Sequence, residues 1–133
     1  MRGFIPHSNE DGRVPPWKYL PCSAIQPTIG MALVQTSGNL AIATGTTKPT
    51  HISMVEADAT LTAGDLIPVI EVQPDQVFEC TNSAALTSVN IGQKVTLHAS
   101  NGCQITATTS SGVARLVAKE ADAIGSKCLV KFD

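Results

Sequence analysis

The sequence predicts an all-β domain: a small β-barrel or sandwich of short antiparallel strands, preceded by an extended Pro-rich N-terminal arm. Three observations predict it. Apolar and polar residues alternate with period two along much of the chain, and most clearly from Val89 to Val117. Gly and Pro recur at short intervals, as turns between short strands do. Thr, Val, Ala, Ser and Gly dominate the composition, which suits strands better than helices. The 133 residues make one domain by ordinary size, long enough to bury a substantial core.

Residues 1–27 differ from the remainder. They hold five of the eight prolines (Pro6, Pro15, Pro16, Pro21, Pro27) and three of the five aromatic residues (Phe4, Trp17, Tyr19). Prolines at this density favour extended backbone, whereas a disordered tail is poor in aromatics. This segment therefore reads as an extended arm with apolar anchors. The reading preferred for it is an arm that docks on another subunit, the alternative being an arm that wraps its own domain. The β-domain is taken to span residues 28–133 and to fold without the arm.

The strands follow in order. Met31, Leu33 and Gln35 share a face, Thr36-Ser37-Gly38-Asn39 turns the chain, and Leu40 and Ile42 return with Leu33 opposite Ile42. His51 to Val55 is a short strand with Ile52 and Met54 on one face, and Glu56 to Ala63 is a loop. Gly64-Asp65 opens the strand Leu66 to Val72, where Pro68 lacks an N–H and so predicts an edge strand or a bulge. Val77 to Cys80 follows a Gln73-Pro74-Asp75 turn. Thr81 to Ser88 is a polar loop with room for one helical turn at residues 83–86.

The next hairpin carries the strongest pattern. Val95, Leu97 and Ala99 alternate with polar residues, and after Ser100-Asn101-Gly102 so do Cys103, Ile105 and Ala107. Apolar residues must share one face, so Ala99 should oppose Cys103, Leu97 oppose Ile105 and Val95 oppose Ala107. The register leaves a three-residue loop with Gly102 left-handed. On the outer face Thr96 meets Thr106 and His98 meets Gln104. Ser111-Gly112 then turns into Val113 to Ala118, with Ala107 opposite Leu116. The last strand, after Gly125-Ser126, alternates Cys128, Val130 and Phe132. The count is about eight to ten strands.

The inventory for chemistry is thin. Charged residues make up 15% and the formal net charge is −2, which offers no basic face for nucleic acid. The first residues lack a signal peptide's apolar run, and no stretch reaches the ~18 apolar residues of a membrane span. Cys22, Cys80, Cys103 and Cys128 show no metal-ligand spacing and read as four unpaired buried thiols. His7, His51 and His98 are scattered. Glu71 and Glu79 could form a carboxylate pair if their strands paired, though a solvated outer face is the plainer reading. Phe78 and Phe132 sit on alternating strands as core. No catalytic residue, metal site or cofactor is expected.

Segments of the core, in order, resemble the small decoration (cement) proteins of tailed-bacteriophage capsids. The resemblance rests on Met31-Ala32-Leu33, Gly38-Asn39-Leu40, Lys48 to Ser53, Gly64-Asp65-Leu66-Ile67-Pro68-Val69 and Gly92-Gln93-Lys94-Val95. It implies a non-enzymatic virion protein, often a homotrimer, made in the host cytoplasm and bound to the capsid exterior through the major capsid protein. Many such proteins engage the shell with an extended N-terminal arm. That role falls here on Phe4, Ile5, Trp17, Tyr19 and Leu20, and small residues such as Ala41, Ala43, Ala84 and Ala85 would line a trimer axis. Two rivals remain open: a ligand- or glycan-binding β-barrel with Trp17 over its mouth, and a ring-forming assembly factor. The latter needs a mobile apolar loop mid-chain, and the loops here are small and polar.

Overall fold

The structure, a computed structural model, describes residues 2–9, 12 and 16–133. Pro15, one of the prolines expected to extend the first segment, lies outside the described residues. Eleven strands form among the described residues: β1 (Ile5–Asn9), β2 (Trp17–Pro21), β3 (Ala32–Thr36), β4 (Asn39–Ile42), β5 (His51–Ser53), β6 (Leu66–Glu71), β7 (Gln76–Asn82), β8 (Lys94–Val95), β9 (Gln104–Ile105), β10 (Ala114–Lys119) and β11 (Lys127–Lys131). The domain is all-β, as the alternation predicts. The turn allowed for at residues 83–86 is not helical; Leu86 instead drops into the core, 1% exposed.

The strands make two sheets, one ordered β1-β7-β11-β10-β8 with β9 beside β7, the other β2-β6-β5-β3-β4. Each sheet curls until it meets itself. In the second, Cys22 bridges Leu40 in parallel, and the Ser23 N–H donates to the Leu40 carbonyl at 2.8 Å. In the first, Leu97 bridges Ile105, carrying β8 to β9, and β9 runs parallel to β7 through Thr81↔Gln104 and Asn82↔Ile105. Each ring has five members, and an odd ring cannot alternate direction throughout. One contact in each must therefore be parallel, and both close on theirs. Closure leaves fewer unpaired edges, a standing hazard of short-stranded β-proteins.

Two apolar clusters fill the molecule. One joins the interior of the first sheet to the face of the second that packs on it, with Phe4, Phe78, Phe132, Leu97 and Ile105 against Ala32, Ile52 and Ile70. The other, with Leu33, Leu40, Ile67, Val69 and Cys22, lies on the opposite face of the second sheet, inside its curl. Strand β6 thus contributes Ile70 to one and Ile67 and Val69 to the other, which explains why it is apolar at successive positions.

Several expected registers hold. Leu33 opposes Ile42 across a two-residue Ser37-Gly38 turn in which both residues have positive φ, 51° and 85°. This is the mirror-image turn that matches strand twist. Leu97 opposes Ile105, Gly102 has φ 62°, and the hydroxyls of Thr96 and Thr106 meet at 2.7 Å. The His98 N–H donates to the Gln104 carbonyl at 2.8 Å.

Other registers differ. The Thr96 N–H reaches past Thr106 to the Thr108 carbonyl at 3.0 Å, so the two strands slip apart and Val95 does not oppose Ala107. Val95 pairs instead with Ala114, and Leu116 pairs with Val130 rather than with Ala107. At the turn Ala99 is exposed while Cys103 is buried. The cause is tertiary: the Gly102 carbonyl accepts the Ala32 N–H at 2.8 Å, which docks the turn on the other sheet and parts its flanking residues.

Strand β6 is neither an edge nor bulged; it pairs with both β2 and β5. Its proline is accommodated because Pro68 lies just beyond Ser53↔Val69, where β5 ends. Its carbonyl accepts the Met54 N–H at 2.9 Å, and the donor it lacks falls off the end of the ladder.

The segment expected as an arm is extended, but its described residues lie on the protein's own sheets. Strand β1 pairs with β7 and β2 pairs with β6 along their lengths. Cys22 and Pro27 are buried. Of the two dispositions open to residues 1–27, wrapping their own domain is the one seen for the described part. Ala43, expected near a trimer axis, is 0% exposed inside the domain, whereas Ala41 and Ala84 are half-buried and Ala85 is exposed.

Candidate functional site

The five residues expected to anchor a partner fall into different environments. Phe4 is fully buried; its ring meets Phe132 edge-on at 5.1 Å, and its N–H donates to the Gly30 carbonyl at 2.6 Å. This is a correction: Phe4 belongs to the core, because the chain before β1 is drawn over Gly30 and its ring fills space beside Phe132. Ile5 is half-buried on β1 opposite Glu79. Leu20 is half-buried and packs into the second cluster. It too serves the protein's own interior.

Trp17 and Tyr19 do not. They are 59% and 64% exposed and, two residues apart on β2, share one face. Opposite them stand Ile70 and Pro68, and the next pair on that face is Pro21 with Leu66, which is 64% exposed. An outward patch results: two aromatic rings, a leucine and prolines on a two-stranded platform. Leu66 carried a signal in the sequence. A strand apolar at Leu66, Ile67, Pro68, Val69 and Ile70 shows apolar side chains on both faces.

The platform is held from its other face. Lys18 Nζ lies 2.6 Å from Glu71 Oε2, and this hydrogen bond holds the Glu71 carboxyl below its usual range. Both side chains are about half exposed, so the pair orients β2 more than it stabilises it. Among the described residues β2 pairs with a single strand, β6, until its end reaches Leu40. Among the described residues no strand pairs with the outer backbone edge of Trp17–Leu20.

The other expected groups are dispersed. Glu71 lies on β6 of the second sheet and Glu79 on β7 of the first, where Glu79 is 3.7 Å from Lys127, so the two carboxylates do not pair. His98 caps its turn, its Nδ1 accepting the N–H groups of Ser100 and Asn101 at 3.1 and 3.2 Å. Among the described residues no group of three or more His, Cys, Asp or Glu could hold a metal ion.

His51 lines a surface cleft of about 420 Å³ together with Lys48, Thr50, Glu71 and Phe132. It is 7% exposed, with Nδ1 2.8 Å from Thr50 Oγ1. Burial lowers its pKa below the ordinary value of 6.5, Glu71 pulling it up and Lys18 pushing it down by smaller amounts. The unfolded chain then takes up a proton that the folded one resists. Stability that His51 supports is present above the unfolded pKa and lost as pH falls through the folded one. Denaturation midpoints of the protein should drop as the pH falls below the ordinary histidine range, and His51→Asn, whose amide can still reach Thr50, should flatten that slope. An unchanged slope would assign the acid sensitivity to other groups.

The patch presents aromatic rings, a leucine and prolines to solvent. No family model matches the chain, and neither a curated protein nor a solved structure matches it.

Proposed function

We propose that the protein is a structural virion component: a decoration protein that binds the outer surface of a tailed-phage head through its major capsid protein and stabilises the shell. The observation that carries the reading is the Trp17–Tyr19 pair, held outward on an ion-pair-braced strand beside Leu66. Large aromatic residues dominate interface energetics when a partner's pocket desolvates them. They are presented by a strand already fixed in the second curled sheet, so little ordering entropy remains to be lost on docking. The resemblance of the core segments to capsid decoration proteins supplies the identity of the partner. In this reading the anchors are Trp17 and Tyr19, with Ile5 at the margin, and the assembly is a homotrimer. No enzymatic step is part of it.

The test is co-sedimentation with heads lacking the protein. Trp17→Ala should cost on the order of 2 kcal/mol per subunit, and a trimer on a repetitive surface multiplies that loss, so occupancy should fall steeply. The fold should be unaffected, since the ring is mostly in solvent. If Trp17→Ala with Tyr19→Ala left co-sedimentation intact, the assignment would be wrong. The same rings also favour one other reading, a glycan platform, because aromatic faces stack on sugars. Quenching of the single Trp by soluble oligosaccharides, with no binding to heads, would select it.

A further inference from the structure

Cys80 on β7 and Cys128 on β11 stand directly opposite each other. Residues so placed have Cα atoms about 4.5–5.5 Å apart, inside the range that a disulfide spans. Their sulfurs lie 3.6 Å apart, and both residues are 3% exposed. They are free thiols, as are Cys22 and Cys103. Forming a bond of about 2.05 Å needs the sulfurs to close by roughly 1.5 Å, within reach of side-chain rotation. Each also borders a small surface cleft. Cys128 lines one of about 290 Å³ with His7, Lys119 and Lys127, and Cys80 lines one of about 270 Å³ with Arg2, Thr81 and Lys127.

We propose that Cys80 and Cys128 are a peroxide-sensitive pair whose oxidation staples β7 to β11 and locks the first sheet. The two sulfurs differ in readiness. Burial pushes the Cys80 thiol well up, and the Cys128 thiol lies 3.5 Å from the Cys80 carbonyl, to which it donates. Cys128 is drawn down chiefly by its contact with the Cys80 sulfur, so it is the more easily ionised of the two. The Cys128 thiolate attacks one peroxide oxygen. The O–O bond breaks, leaving a sulfenic acid on Cys128 and a hydroxide that takes up a proton to become water. The Cys80 sulfur then attacks the Cys128 sulfur, the S–O bond breaks, and the departing hydroxide takes the Cys80 proton as a second water. Two thiols lose two electrons and two protons, and one peroxide becomes two waters. A small uncharged oxidant suits the clefts better than a bulky disulfide does.

The staple would close a loop with its ends 48 positions apart, a long one, so it would restrict the unfolded chain strongly. For a virion protein made in a reducing cytoplasm and later exposed outside it, the thiols would pass from open to locked after assembly.

The experiment treats the full chain with hydrogen peroxide, quenches, then denatures and alkylates without reduction. Two of the four thiols should label, Cys22 and Cys103, and peptide mapping should recover a Cys80–Cys128 link that dithiothreitol removes. The melting temperature should rise by about 5 °C or more. Cys80→Ala should abolish both the link and the rise, and Cys128→Ala should do the same should the first variant not fold. Four labelled thiols after treatment, a bridge that includes Cys22 or Cys103, or a Cys80–Cys128 bridge with no gain in melting temperature would each overturn the proposal.

Discussion

Phe4→Ala is expected to cost about 3–5 kcal/mol of folding stability, the usual range for truncating a fully buried phenylalanine. The ring is 0% exposed, and Phe132, which it meets edge-on, also contacts Phe78 at 5.5 Å between centroids. Three rings in series mean that removing the first leaves one side of the second unpacked, with only Phe78 still against it. The space cannot collapse easily, because the backbone on both sides is tied down: the Gly3 and Phe4 N–H groups donate to the Ile29 and Gly30 carbonyls at 2.9 and 2.6 Å. Deleting residues 1–9 should do more, because it also strips β1 from β7. The domain is therefore not expected to fold independently of its first residues, contrary to what an arm-and-domain reading implies. Urea denaturation of Phe4→Ala and Phe4→Leu would measure it. A loss below about 1 kcal/mol for Phe4→Ala would place the ring outside the core.

Gly102→Val should be comparably severe, about 2–5 kcal/mol, for two separable reasons. Its φ of 62° resists a β-branched side chain. A Cβ there would also sit 2.7 Å from Ile42 Cγ2, 3.1 Å from the Ala32 carbonyl oxygen and 3.2 Å from that of Ala43. Two of those contacts are backbone of the second sheet, so relief requires the sheets to part. Gly38 separates the two effects. Its φ is 85°, yet nothing lies within 4 Å of a Cβ built on it. Gly38→Ala should therefore cost only the conformational part, about 1 kcal/mol, and Gly102→Ala clearly more. Equal losses at the two positions would show that the turn at Gly102 is not wedged against the other sheet.

Both effects arise at places where distant segments meet. Phe4 and Phe132 belong to opposite ends of the chain, and Gly102 touches the β3–β4 hairpin. The exposed patch has the same origin. Trp17 and Tyr19 lie outward because β2 was captured by β6, some fifty positions on, with Lys18 and Leu20 turned to the other face.

By itself the sequence determined the all-β class and the registers nearest two of its turns. Alternation around Ser37-Gly38 and around Ser100-Asn101-Gly102 placed Leu33 opposite Ile42, Leu97 opposite Ile105 and Gly102 at positive φ. These follow from steric rules and from the need of neighbouring residues to share one apolar face, both of which act over a few residues. Only the tertiary structure decided which face each strand would cover, and with what. Period two says that Trp17 and Tyr19 share a side; it does not say that the side stays in water while Phe4, from the same proline-rich segment, is sealed under Phe132. Nor could alternation announce that β9 would run parallel to β7, or that Cys22 would close a ring on Leu40. Each of those contacts joins residues far apart in the chain. They form because an odd-membered ring of strands removes more apolar surface and more unpaired backbone from water than an open sheet of the same length.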